Sequence, residues 1–233
     1  LGAFDMERKQ SPLKKLFAIR GMGQVVTVTV GLVILCIVFG ILNPMFFSGK
    51  NVGNLLRQIA PILMIGIGQS YVLITGNIDL SVGAEMVAVA ALSITVINLT
   101  NSAILGVLTA FVAGIAFSVI TGVIITKGRV PSFIVTLGFQ YIYRSVLTYA
   151  LNGGGVTTKN DAYLAISSTE IFGVIPLQIV YFFVMALIYW YISKYTTLGR
   201  RIYAVGSNER AARLSGIKTD RIKIMAFVLL GIA

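Results

Sequence analysis

Seven apolar runs separated by polar or glycine-containing breaks dominate the sequence: Gln24 to Asn43, Arg57 to Thr75, Val82 to Asn98, Ala103 to Thr126, Ser132 to Leu151, Pro176 to Ser193, and one beginning near Ile224. A helix needs about 20 mostly apolar residues to cross a bilayer. Such runs predict an all-α, polytopic membrane helix bundle of about seven spans. Composition supports this, with 57% hydrophobic and 12% charged residues, against about 25% charged in a soluble domain. The first run is too long for a signal peptide and lacks a small-residue cleavage site, so it is expected to stay as an anchor. The last run meets Ala233 about halfway across a bilayer at the helical rise per residue, so the sequence is expected to be a piece of a longer protein.

In such a chain the formal charge of +11 has to be read by position along the membrane, and no nucleic-acid partner is expected. Arg8, Lys9, Lys14, Lys15 and Arg20 precede the first run, and Lys127 and Arg129 follow the fourth. Lys194, Arg200, Arg201, Arg210, Arg213, Lys218, Arg221 and Lys223 follow the sixth. Fifteen of the nineteen basic residues thus share one side, and the cytoplasmic excess of Lys and Arg places the N-terminus inside. Residues 1–23 are then a cytoplasmic basic arm, and 24–233 a single transmembrane domain with a cytoplasmic loop at 194–223. Lys50, Arg57, Lys159 and the loop from Asn152 to Ile175 are expected outside.

Several chemistries fall away. The sequence has no histidine, which removes His relays, His metal ligands and Ser/His/Asp triads. Its one cysteine, Cys36, lies in an apolar run. No glycine-rich phosphate loop with a Lys-Ser/Thr ending is present. No catalytic residue, metal ligand or bound cofactor is expected in this chain.

Two runs carry rows at four-residue spacing, which keeps side chains on one helix face. In the fourth, Gly106, Ala110, Gly114, Ser118, Gly122 and Thr126 are all small, the pattern of close helix contact in lipid. In the fifth, Ser132, Thr136, Gln140, Arg144, Thr148 and Asn152 are all polar. That row suits either the lining of a polar pathway or hydrogen-bonding glue between helices.

The stretch Thr75 to Gly83 breaks the chain between two runs, with Asp79 or Ser81 able to cap the helix that follows. Glu85 lies one turn further in; an intramembrane acid is a functional candidate, while an acid in the first helical turn also suits the macrodipole. Asp79, Ser81, Glu85, Thr136, Gln140 and Arg144 are the candidate translocation-pathway residues. In the cytoplasmic loop, Asn208 can cap a short helix through Glu209, Arg210, Ala211, Ala212, Arg213 and Leu214 that Gly216 stops before Ile217. Such a helix can rest on anionic lipid, or its small alanines can admit close docking against a protein groove.

Three motifs in order carry a family resemblance: Gly76-Asn77-Ile78-Asp79-Leu80-Ser81-Val82-Gly83, Val130 to Gly138, and Gly199 to Ile217. Together they resemble the permease of bacterial ribose-type sugar importers, which belong to the ATP-binding-cassette transporters. The family usually has a second glycine where Asn77 stands, and often Ser where Ala84 stands. The resemblance implies a multi-pass permease of the bacterial inner membrane, with about ten spans in the full protein. It implies a second permease copy or homologue, cytoplasmic ATPase subunits that bind ATP and Mg, and an extracytoplasmic sugar-binding protein as partners. Asn208 to Ile217 would then be the coupling helix seated in the ATPase. An ion-coupled secondary transporter is the alternative, for which only Asp79 and Glu85 could serve as intramembrane acids.

Overall fold

The computed structural model describes residues 22–171, 173 and 175–233. The expected cytoplasmic arm, 1–23, therefore lies almost wholly outside the described residues. The chain divides into two units, 1–52 and 53–233.

In the first unit α1 (Met22–Leu42) buries no residue within the protein. A helix apolar on all sides is stable only in an apolar medium, as an anchor requires. The turn after it is closed locally, Asn51 Nδ2 donating to the Phe46 carbonyl at 2.7 Å. The next helix, α2 (Gly49–Ile74), starts well before the apolar run at Arg57 and leads into the second unit. Polar Lys50, Asn51 and Asn54 extend it, because a helix does not end where hydrophobicity does.

The second unit continues with α3 (Val82–Thr100), α4 (Ala103–Gly128) and α5 (Ser132–Ala150). A short α6 (Asp161–Ser168) and a two-stranded hairpin, β1 (Glu170–Ile171) and β2 (Ile175–Pro176), fill the loop before α7 (Leu177–Tyr195). Then come α8 (Thr197–Ser207), α9 (Glu209–Leu214) and α10 (Thr219–Ile232). Among the described residues, α1, α2, α3, α4 and α7 are long and apolar enough to cross a membrane. Helix α5 has 19 residues, but its polar row lowers its hydropathy, and α10 has 14. The protein is a polytopic helical membrane protein.

Connections of this unit alternate between two ends. At one end Asn160 Nδ2 donates to Asn101 Oδ1 at 3.0 Å, Asn98 Nδ2 to the Thr157 carbonyl at 2.9 Å, and Arg57 pairs with Glu170. At the other, the Ile78 amide donates to Ser132 Oγ at 3.1 Å. The α8 helix, the α6 helix and the hairpin were not expected from the sequence. Each is held by contacts distant in sequence, as where Gln178 Nε2 meets the Ser167 carbonyl at 2.7 Å.

The small-residue row of α4 is a helix-packing face. A Cβ on Gly114 would lie 2.3 Å from the Gly231 carbonyl oxygen of α10, and one on Gly106 would lie 2.3 Å from Ile97 of α3. Backbones this close are possible only without side chains. Where α2 and α7 to α10 meet, Tyr71, Tyr189, Ile202, Val205, Ala212, Ile222, Ala226 and Leu229 form one buried cluster.

Candidate functional site

The break between α2 and α3 is held from within. Asp79 Oδ1 accepts from the Ser81 amide at 2.7 Å and from its hydroxyl at 2.6 Å. Gln69 Nε2 reaches the Asp79 carbonyl at 3.1 Å. Asp79, and not Ser81, is thus the acceptor; Ser81 makes no side-chain cap. Thr136 is fully buried, its hydroxyl lying 2.9 Å from the Ser132 carbonyl and 3.5 Å from that of Ile78.

The polar row of α5 therefore divides. Its first two members, Ser132 and Thr136, hold the break. Further along, Gln140, Arg144 and Thr148 line an open cleft of about 660 Å³ against Leu80, Gly83, Ala84 and Val87 of the facing wall. Arg144 is exposed and forms no ion pair among the described residues. Its guanidinium offers a planar fork of donors, and Gln140 beside it offers both a donor and an acceptor. Such a surface can both donate to and accept from a polar solute.

The six pathway candidates do not converge. Gln140 and Arg144 reach the cleft; Thr136, Asp79 and Ser81 lie buried in the break. Glu85, also buried, turns to α4, where Oε1 accepts from Ser118 Oγ at 3.1 Å. It borders a second cavity, of about 500 Å³, with Pro61, Phe111 and Leu230 in its wall. Periodicity could not separate these environments, because Asp79 precedes the helix and its neighbours are set by the turn.

Across a cavity from the break stands the second candidate, around α9. Asn208 Oδ1 caps α9 by accepting from the Ala211 amide at 3.0 Å. Gly216 ends it at φ +81°, with the Ile217 amide donating to the Ala212 carbonyl and the Gly216 amide to that of Arg213, both at 3.0 Å. This is a left-handed stop that favours glycine. Ala212 faces inward into the buried cluster, so the docking face expected around the alanines is narrower than the sequence suggested. Arg210, Ala211, Arg213 and Leu214 are exposed, Leu214 to 86%.

Residues outside the motif brace this helix. Lys223 Nζ lies 2.8 Å from Glu209 Oε2, and Arg213 reaches Glu209 at 3.2 Å, Thr219 Oγ1 at 2.9 Å and Asp220 at 3.6 Å. The hydrogen bond from Lys223 holds the Glu209 carboxyl below its ordinary value. Sequence reasoning missed Thr219, Asp220 and Lys223, since only the turn after Gly216 brings the start of α10 beside α9.

Residues 51–233 match the family model described as a branched-chain amino acid transport system / permease component. The chain belongs to this permease family. The permease is 34% identical to the ribose import permease protein RbsC of Escherichia coli (strain K12) over 207 residues, 87% of this chain and 64% of that one. It is 35% identical to RbsC of Bacillus subtilis (strain 168) over 203 residues, 87% and 63% of the two chains. It is 31% identical to the L-arabinose ABC transporter permease protein AraH of Azospirillum brasilense over 192 residues, 81% and 56%. The permease thus spans less than two thirds of these relatives' length. No solved structure matches it.

Proposed function

We propose that this chain is the transmembrane permease subunit of an ATP-binding-cassette importer and forms the pathway for a monosaccharide, a ribose-like pentose or related sugar. An extracytoplasmic binding protein delivers the sugar, and two cytoplasmic ATPase subunits holding ATP and Mg supply the energy. A second permease copy or homologue completes the bundle in the lipid of the bacterial cytoplasmic membrane, with the N-terminus inside. The chain itself hydrolyses nothing. The observation that carries this reading is the likeness, over most of the chain, to permeases named for ribose and arabinose. The basic residues at 127–129 and 194–223 support the orientation.

In this reading Gln140 and Arg144 offer hydrogen bonds to sugar hydroxyls, while Asp79, Ser81 and Thr136 fix the wall opposite and Glu85 stands behind it. Asn208 to Ile217 couples the ATPase: Arg210, Ala211 and Leu214 meet its groove, and Glu209, Ala212, Arg213, Gly216 and Ile217 seat the helix on α8 and α10. A push on α9 then passes directly into the bundle through Ala212 and the Glu209–Lys223 pair.

Purification of the complex from native membranes tests the reading. An ATPase and a sugar-binding protein should co-purify, the latter with its monosaccharide. Co-purification with neither, together with uptake driven by an ion gradient and insensitive to ATP depletion, would replace it with secondary transport.

A further inference from the structure

The wall between α3, α4 and α5 buries more oxygen than it satisfies. Asp79 Oδ2, Glu85 Oε2, Thr121 Oγ1 and Tyr143 Oη are each shielded from solvent without a hydrogen-bond partner. Their residues are 3%, 5%, 0% and 7% exposed. They belong to one neighbourhood. Glu85 is tied to Ser118, and Thr121 follows Ser118 by nearly one turn on the same helix. Tyr143 of α5 packs on Phe117, one turn before Thr121 on α4, and lies close enough to Glu85 and Asp79 for their charges to act on it. Its ring is fixed between Phe117 and Phe139, at centroid distances of 5.0 and 5.5 Å.

No Lys or Arg among the described residues pairs with either carboxylate. Neutral groups stand near them: Gln69 from α2, Ser118 and Thr121 from α4 and Tyr143 from α5, with Leu230 of α10 in the wall of the cavity that Glu85 borders. Arg144, next to Tyr143, points into the cleft. Buried carboxylates without compensation are costly in a medium of low dielectric. The hydroxyls could relieve them by donating, yet neither makes that bond. Two acids and two hydroxyls left without partners in one buried neighbourhood match the oxygen donors that a hard cation takes.

We propose that Asp79, Glu85, Thr121 and Tyr143 form a buried site for a monovalent metal cation, sodium being the probe, between the helix break and α4. One carboxylate oxygen of each acid is already engaged, by Ser81 and by Ser118, so each acid offers one oxygen. Two neutral hydroxyls complete a four-oxygen set, with water for the remainder. A bound cation would lock the break to α4 and α5, stiffening the wall that faces the cleft. The site goes beyond the sugar pathway and does not depend on the solute being a sugar.

Thermal unfolding of the purified full chain in detergent, at constant ionic strength with sodium chloride exchanged for N-methylglucamine chloride, tests it. The midpoint should rise by several degrees and saturate with sodium, since a ligand that binds only the folded state stabilises it by mass action. Glu85→Gln and Thr121→Val should flatten that response. If either loses helical content by circular dichroism, Tyr143→Phe, which removes a single hydroxyl, gives the readout instead. A wild-type midpoint equal in the two salts overturns the site, as does an undiminished sodium response in the folded variants. A midpoint that follows pH alone also overturns it and assigns the compensating charge to a proton. Sugar uptake, measured separately, reports on the transport reading and not on this one.

Discussion

Arg144 and Arg213 show two uses of one side chain. In the brace around α9 Arg213 contacts Glu209, Thr219 and Asp220, and its partner Glu209 is held in turn by Lys223. In the cleft Arg144 has no ion-pair partner among the described residues. Water makes the first charge inexpensive and its pairing modest in value. An arginine held at depth in a membrane would be expensive, so one without an ion-pair partner in a helix of this bundle is informative. The paired arginine fixes local geometry, whereas Arg144 lines the open cleft without an ion-pair partner among the described residues.

That contrast can be broken. Arg144→Leu should reduce uptake by roughly 10- to 100-fold, the worth of one hydrogen bond to a charged group at about 1.5–3 kcal/mol, while the complex assembles normally. Uptake measured in membrane vesicles at matched expression checks it, and normal uptake would make the α5 row packing alone. Ala212→Trp should act on folding, not only on docking, because the site is buried: overpacking costs about 1–3 kcal/mol, read as a lower unfolding midpoint of the isolated chain. If the chain is unaffected and only ATPase association falls, α9 docks through the alanines after all.

Smaller effects sharpen the comparison. Gly216→Ala forces a side chain into the left-handed region at about 1 kcal/mol and should weaken ATPase-coupled transport with little loss of folding, measured as uptake per hydrolysed ATP. Smallest of all is a pH effect at Glu209. Its folded-state value lies below the ordinary 4.5, so its contribution is present above about 4.5 and is lost as pH falls through the folded value. Unfolding midpoints of wild type and Lys223→Met should therefore differ near neutrality and converge in acid. A difference that persists in acid would show that Lys223 acts by packing.

Much of the bundle was legible in the sequence because lipid enforces local rules. The runs at Val82, Ala103, Ser132 and Pro176 each return as a helix beginning within one residue of its expected start. The cap at Asn208 and the stop at Gly216 were legible for the same reason, since each acts through bonds a few residues away. Helix α8 was not. Its polar Arg200 and Arg201 alternate with the buried Ile202 and Val205, so it becomes a helix with an inner face only when α2 and α7 are there to cover it.

The six pathway candidates mark where local reading ends. Three of them were identified by spacing, and the row from Ser132 to Thr148 is a real face of α5, while Asn152 falls beyond its end at a positive φ. Spacing fixes which side chains share a face, but not which neighbour that face meets at each depth. One end of the row meets the break at Ile78, and the other meets an open cleft beside Gly83 and Val87. By itself the sequence determined that the chain is a helical membrane protein, where several of its long helices begin, and which residues are polar within its apolar runs, because hydrophobicity and capping are properties of single segments. Only the tertiary structure decided that Asp79 and Glu85 turn away from the cleft, that Ala212 is buried, and that Lys223 holds Glu209. Those outcomes depend on how closely helices distant in the chain can approach, and at Gly114 and Gly231 that approach is limited only by two backbones in contact.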